Sequence, residues 1–360
     1  MILINWGGEP NFMDSDIETS QNWEKLSQYL EQHNINFNAN EFRPKQFASG
    51  FGNLNYLILV NNKKAVLRRP PMGVIPPGAN DMKREHHILS KLYNAFPLAP
   101  KSYHYCSDHD VLGNHFLIME YRYGSTIGGQ LPSQLMKIED VGQKLSNLMV
   151  DTLVQLHDVK PETINLQNFG KPEGFLSRAV VGWQKRLMMG SNANPCRAAL
   201  EVSEWLEKHI VPDGDTTLLH NDFKLDNILL DPETIDPVAI LDWDMGSRGD
   251  PLFDLGTLLS YWVEPGDPEP MQIIDQMPTA KHKFFSRSEV VQSYADKSGR
   301  NLEKFLFYRV LTQFKLAVVF LQIDAQFRRG TTSDKRFGRF GDHIDGMFEF
   351  ALDLANERKQ

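Results

Sequence analysis

Asp222, Asn227 and Asp242 are the residues around which a chemistry can be built. The first two belong to the run His220-Asn221-Asp222-Phe-Lys224-Leu-Asp-Asn227. Two apolar stretches follow, Ile228–Leu230 and Val238–Leu241, joined by Asp231-Pro232-Glu-Thr-Ile-Asp-Pro237. Short apolar runs around a proline-containing turn predict a hairpin of buried strands. Such a hairpin brings Asn227, at its entry, next to Asp242, at its exit. Hard divalent cations such as Mg2+ take oxygen ligands, one or two from the protein and the rest from phosphate and water. Asn227 and Asp242 can supply them without crowding the site with charge. Asp222, five positions before Asn227, stands far enough away to accept a proton from a hydroxyl. Lys224 can place a positive charge on a phosphoryl group in flight.

A lone Asp-x-x-x-x-Asn is common by chance. The ordered set, with its hairpin and the trailing Gly249-Asp-Pro-Leu-Phe-Asp254-Leu, is the arrangement of kinases. It resembles the signature of the aminoglycoside phosphotransferase family, which includes choline and related small-molecule kinases. That signature is similar to His-Gly-Asp-x-x-x-x-Asn, then Ile/Leu-Asp-Trp-Asp/Glu and Gly-Asp-Pro-x-x-Asp-Leu. The likeness extends to the branch fused to acyl-CoA dehydrogenases and its free-standing bacterial relatives. Asn221 departs from the pattern, standing where the family has Gly; if a positive φ is needed there, Asn is the next best residue.

The resemblance implies an α+β, protein kinase-like two-lobed fold. A small N-terminal lobe would carry an antiparallel sheet, and a larger C-terminal lobe would be mostly helical. It also implies ATP or GTP as donor, with Mg2+. The expected division is an N-terminal helical extension over 1–40, a nucleotide-binding sheet plus helix over 41–123, and a helical lobe with catalytic loop and acceptor site over 124–360.

The elements that must position the chemistry follow from the chain itself. Phe47–Tyr56 holds Ser49, Gly50 and Gly52 in a turn between two strands, and glycines let backbone approach phosphate. Taken alone that turn reads first as an ordinary hairpin, glycine being a default turn residue; its place ahead of the Asp222 run shifts the balance toward nucleotide binding, and no Gly-Lys-Ser/Thr follows it. Arg68, on the strand Ala65–Arg69, falls where the resembling family carries the cation that holds the α- and β-phosphates. Arg69 should point to the opposite strand face, into solvent. Pro70–Pro77 reads as a rigid connection, and Asp81–Leu92 as a helix placing Glu85 to pair with Arg68. Phe116–Tyr121 reads as a strand whose end, Glu120 and Tyr121, would by the resemblance be the hinge that binds adenine through its backbone. His104, Cys106, Asp108, His109 and His115 match no zinc spacing and read as incidental polar residues.

Beyond Pro132 the periodicity turns helical: Leu145–His157, Phe175–Met189, Ala198–Ile210, Leu252–Trp262, a helix opened by the capping box Ser286-Arg-Ser-Glu289, the apolar Asn301–Phe327, and Asp342–Glu357. His157 reads as a packed histidine, His220 and Asp254 as braces of the loop before Asn227, and Trp183, Arg186 and Met188 as helix packing. Thr331–Phe340 reads as an exposed loop. Ahead of the sheet, Asp16–Glu31 reads as an amphipathic helix with Ile17, Trp23, Leu26, Tyr29 and Leu30 inward. Met1–Phe12 is unlike it, and Met13 is a plausible translation start.

At 360 residues the chain can bury a large core. A net charge of −8 with no basic run argues against nonspecific nucleic-acid binding. Two cysteines suit a reducing compartment, read here as cytoplasmic, and no signal sequence or membrane span is expected.

The expected reaction moves the γ-phosphoryl group of ATP or GTP to a hydroxyl of a small molecule. Asp222 is the base, Lys224 and Arg68 neutralise phosphate charge, and Asn227 and Asp242 hold Mg2+. Rival readings are a nucleotide-binding pseudokinase, a metal-dependent hydrolase, and a protein kinase, the last lacking an Ala-Pro-Glu segment. The acceptor is open, with a hydroxyacyl-CoA-like metabolite suggested by the resemblance and an aminoglycoside as the alternative.

Overall fold

A computed structural model describes residues 6–14, 16–48, 52–71, 80–192, 194–330 and 340–356. Ser49 and Gly50, most of the Pro70–Pro77 connection and nearly all of the Thr331–Phe340 loop lie outside the described residues. The chain divides into two compact units. One comprises Met1–Thr126, Pro161–Gln167 and Asn227–Gly246; the other comprises Ile127–Lys160, Asn168–Asp226 and Ser247–Gln360. The 227–246 hairpin, counted with the helical lobe in the sequence, groups instead with the sheet.

In the first unit, α1 (Trp23–Gln32) precedes a five-stranded antiparallel sheet of order β1-β2-β3-β5-β4. Its strands are β1 (Lys45–Gln46), β2 (Leu54–Val60), β3 (Lys63–Arg69), β4 (Ser102–Cys106) and β5 (Phe116–Glu120). Two helices lie between β3 and β5 in the chain, α2 (Met82–Leu92) and the short α3 (His109–Leu112). Alternate strand residues Tyr56, Ile58, Leu67, Phe116 and Ile118 bury one sheet face against Leu26 and Leu30 of α1. Each such aliphatic side chain removed from water contributes about 1.5–3 kcal/mol. α2 packs on β4 and β5 through an apolar stripe that also contains Glu85.

α1 begins at Trp23, with Asn22 capping Lys25 N, seven residues after the expected start at Asp16. The intervening backbone is held by the sheet: Thr19 N donates to Gln46 Oε1 at 2.7 Å, and Tyr56 Oη donates to Thr19 O at 2.7 Å. Ile17 is consequently exposed rather than inward. Arg69 also departs from expectation. It does point opposite to Arg68, but that face is covered, and its guanidinium donates to Gln21 Oε1 and Leu112 O, both at 2.5 Å.

Residues 6–13 form a strap on the same unit. Buried Trp6 donates its indole N–H to Pro232 O at 2.9 Å, Tyr123 Oη donates to Gly7 O at 3.1 Å, and Ala48 N donates to Asn11 O at 2.9 Å. The strap ends with Met13 N donating to Gln46 O at 2.8 Å.

The second unit carries the paired strands β6 (Thr217–Leu219) and β9 (Ser247–Gly249), while β7 (Ile228–Leu230) and β8 (Pro237–Ile240) form the hairpin of the first. Its helices are α4 (Val141–His157), α5 (Phe175–Gly190), α6 (Arg197–Lys208), α7 (Pro251–Tyr261), the short α8 (Glu269–Gln272), α9 (Arg287–Ser298), α10 (Phe305–Arg328) and α11 (Ile344–Ala355). α9 opens with the expected capping box and ends at Gly299, whose φ of +66° suits glycine. α10 is the central rod, packed against α5, α6, α7 and α11. Among the described residues it alone is long and apolar enough to cross a bilayer, yet most of it is buried inside the protein. Two of its cations, Arg309 and Lys315, are buried as well.

Candidate active site

In the first unit the site is built on β3, α2 and the β7–β8 hairpin. The helix capped by Asp81 places Glu85 one turn in, facing the sheet. Its carboxylate is wholly buried and accepts from Arg68 Nε at 2.8 Å and from Trp243 N at 3.3 Å. Arg68 Nη2 donates to Asp242 Oδ1, and Nη1 donates to Asn55 Oδ1 at 3.3 Å. Burial pulls the guanidinium toward its neutral form, but Glu85 and Asp242 more than offset this and raise its pKa. For Glu85, burial outweighs Arg68 and holds the carboxyl above its usual range.

Leu241 N donates to Asn227 O at 2.8 Å, extending the Ile228↔Ile240 register by one pair. Asn227 and Asp242 therefore lie at the same end of the hairpin, as their spacing predicts. Asp242 has a φ of +68°, which turns the chain out of the strand direction just where its carboxylate meets Arg68.

The turn between β1 and β2 is described from Gly52, whose φ is +92° and whose carbonyl accepts from Asn80 Nδ2 at 3.0 Å. At the end of β5 the Glu120 carboxylate accepts from Lys101 N at 3.0 Å and Arg122 Nη2 at 2.9 Å. The Tyr121 ring stacks 6.4 Å from Phe47.

In the second unit the run from His220 to Lys224 is held from below by α7. Asp250 caps α7, and Asp254, wholly buried in its first turn, accepts from His220 N at 2.6 Å and Asn221 N at 2.7 Å. His157 Nε2 approaches Asp254 Oδ2 at 3.5 Å, and its Nδ1 lies 2.7 Å from Tyr294 Oη, the packed role expected of it. Asn221 has a φ of +66°, so the family's glycine position does require the left-handed conformation that Asn tolerates. Its side chain donates to Ser247 Oγ at 2.7 Å.

This bend presents Asp222. Lys224 Nζ donates to its Oδ2 at 2.9 Å, and Tyr261 Oη donates to its Oδ1 at 3.1 Å. Burial pushes the Asp222 carboxyl up, but Lys224 and Lys315 outweigh it and leave the group below the usual carboxylate range. Burial likewise opposes the charge on Lys224, which Asp222 and Asp226 nevertheless hold well above its ordinary pKa. Lys224 sits 5.0 Å from the centroid of the Tyr261 ring.

Tyr261 and Lys315 were missed in the sequence. Tyr261 lies seven residues after Asp254, hence on the same face of one helix, and that spacing was a usable signal. Lys315 was visible only as a lone cation in the apolar run from Phe314 to Phe320.

Oxygen donors at Asn227 and Asp242 fit a magnesium ion, which needs only one or two protein ligands beside phosphate and water. Among the described residues no group of three or more His, Cys, Asp and Glu is gathered as a metal cage.

The chain is 29% identical to the Homo sapiens protein named acyl-CoA dehydrogenase family member 11, over 92% of this chain and 42% of that one. It thus spans less than half the length of the curated relatives it matches. Among solved structures, a Ralstonia eutropha protein described as a candidate aminoglycoside phosphotransferase covers 95% of this chain and 100% of its own, at 23% identity and a TM-score of 0.76. A thermostable mutant of an aminoglycoside phosphotransferase, solved with AMP-PNP and hygromycin B, covers 90% and 98% at 13% identity and a TM-score of 0.53. These likenesses establish the kinase-like fold, α+β with an antiparallel N-terminal sheet and a mostly helical remainder. The profile described as "Phosphotransferase enzyme family" matches residues 43–283, and the chain belongs to that family.

Proposed function

We propose that the protein transfers the γ-phosphoryl group of ATP, or of GTP, to a hydroxyl of a small molecule. Membership of the phosphotransferase family and the kinase-like fold support small-molecule phosphotransfer, and the AMP-PNP complex of one neighbour supports ATP as donor. The observation that carries the residue-level reading is the bend at Asn221. Asp254 fixes both amides before Asp222, and the Asp222 carboxylate emerges ionised with Lys224 beside it.

In this reading Asp222 orients the acceptor hydroxyl and takes its proton. Lys224 and Arg68 neutralise phosphate oxygens, with Glu85 aiming Arg68. Gly52 belongs to the phosphate turn, together with Ser49 and Gly50, and Glu120–Tyr121 to the base-binding segment. Asn227 and Asp242 would hold magnesium, which when bound would supply positive charge beside the phosphates. A largely dissociative transition state asks mainly for positioning and electrostatics, and these are the groups that provide both. The acceptor proposed is a hydroxyacyl-CoA-like metabolite, motivated by the name of the relative; a cationic aminoglycoside is the alternative.

The test is magnesium-dependent ATP and GTP consumption against hydroxyacyl-CoAs, choline, aminoglycosides and sugars. Turnover with one acceptor, lost in Asp222→Asn and nearly lost in Asp242→Ala, is the expected result. Tight nucleotide binding without turnover on any acceptor would favour a pseudokinase. Absence of nucleotide binding would sink the reading, as would full turnover in Asp242→Ala.

A further inference from the structure

Lys315 sits in the middle of α10, on a side chain that is almost entirely buried, and neither the family signature nor the reaction above uses it. A buried ammonium is costly unless its donors are met. Its Nζ donates to Asn221 O at 2.6 Å and to Thr257 Oγ1 at 3.2 Å, and lies 5.2 Å from the centroid of the Phe253 ring. The first bond is the informative one. Asn221 is the left-handed residue immediately before Asp222; its amide is taken by Asp254 and its carbonyl by Lys315, so the peptide groups on both sides of the bend are fixed.

We propose that Lys315 is a positioning residue for Asp222, fixing the bend that presents its carboxylate and supplying the positive charge that keeps that carboxylate ionised. The proposal rests on the reading of Asp222 as the base. Charge accounts for the choice of lysine over an apolar residue. Asp222 and Asp254 both act electrostatically on Lys315, and a cation near two carboxylates favours their ionised forms. The charged groups that face Lys315 are Asp222 and Lys224 on the loop, Asp254 on α7 and Arg186 on α5. His220, on the same loop, faces Asp222. Burial, helped by Lys224 and Arg186 and opposed by Asp222 and Asp254, brings the ammonium down to about 8.

The experiment follows the carboxyl 13C resonance of Asp222 in the full chain against pH, beside ATP consumption with magnesium in the presence of the panel acceptors. In the unmodified protein the resonance should show its main transition in acid and a second, small one near pH 8, as Lys315 loses its proton. Lys315→Met and Lys315→Gln, both neutral, should raise the Asp222 pKa by about one unit. They should also move the acid limb of turnover upward by the same amount and lower kcat about tenfold, with the nucleotide KM unchanged. Lys315→Arg, which keeps the charge, should leave the acid limb in place even where its bulk slows turnover. Neutral variants with an unmoved Asp222 titration overturn the proposal. So does a Lys315→Arg protein whose acid limb moves as far as that of the neutral variants. ATP binding with no turnover in any form would instead count against the kinase reading, leaving the titration to judge Lys315 separately.

Discussion

Arg68 and Glu85 form a buried ion pair at 2.8 Å, and the carboxylate partner has no exposure at all. Removing one member of such a pair leaves the other charged and desolvated, at a cost of about 3–5 kcal/mol. Glu85→Ala should therefore lower unfolding stability by that amount in urea titrations. Glu85→Gln, which keeps one acceptor oxygen for Arg68 Nε while its NH2 faces Trp243 N, should cost less than Glu85→Ala. Equal stability in all three proteins would show that Asp242, which already accepts from Arg68, is enough to compensate its charge.

Asp254 accepts two backbone amides with two carboxylate oxygens. Asn in its place would turn an N–H toward one of those donors. Unmet buried donors cost about 1–3 kcal/mol each. Asp254→Asn should thus lose stability in that range and lose most turnover. Amide hydrogen exchange should report it at His220 and Asn221, which become fast-exchanging in the variant while the amides of α10 stay protected.

His157 gives the fold a dependence on acid. Burial depresses its pKa below the usual imidazole value, against the pull of Asp254. The unfolded chain therefore takes up the proton first as pH falls, and stability present above about pH 6.5 is lost below it, with a slope of at most about 1.4 kcal/mol per pH unit. His104, brought down to about 4 chiefly by burial, adds to the same trend. Unfolding curves at pH 7.5 and 5.5 should show a smaller difference for His157→Gln than for the unmodified protein. An unchanged difference would remove His157 from this account.

Tyr261→Phe deletes only the hydroxyl that donates to Asp222 Oδ1. A hydrogen bond to an ionised group favours the ionised form, so its loss should raise the Asp222 pKa. The acid limb of the pH–rate profile should shift upward, and turnover should fall by roughly tenfold for a charge-assisted bond of about 1.5 kcal/mol. A profile that keeps its acid limb would mean that the hydroxyl has no influence on the base.

Much of this was legible in the sequence because it is local. The hairpin at 228–240, the capping box at Ser286 and the helix bearing Glu85 follow from turn chemistry and periodicity, while the left-handed Asn221 was signalled by the resemblance, in which Gly stands at that position. What failed was knowledge of cover. Alternation along β3 correctly put Arg69 opposite Arg68, but only tertiary structure reveals that Gln21 and the Leu112 carbonyl wait on that side. The start of α1 failed for a related reason. Helical spacing from Asp16 is real, yet Gln46 and Tyr56, far away in sequence, claim the backbone at Thr19. Lys315 lay beyond sequence reasoning because its meaning depends on the carbonyl it meets 94 residues away.

The strap at residues 6–13 makes the choice of start codon a structural matter. Initiation at Met13 would turn the amide that serves Gln46 O into an α-amino group, and the Ala48 amide would lose its partner, as would the Pro232 carbonyl and the Tyr123 hydroxyl. Trp6, Gly7 and Asn11 thus belong to an edge of the sheet unit. Products begun at the two methionines should be told apart by the tryptophan fluorescence of Trp6, which is shielded from water on the longer one and missing from the shorter.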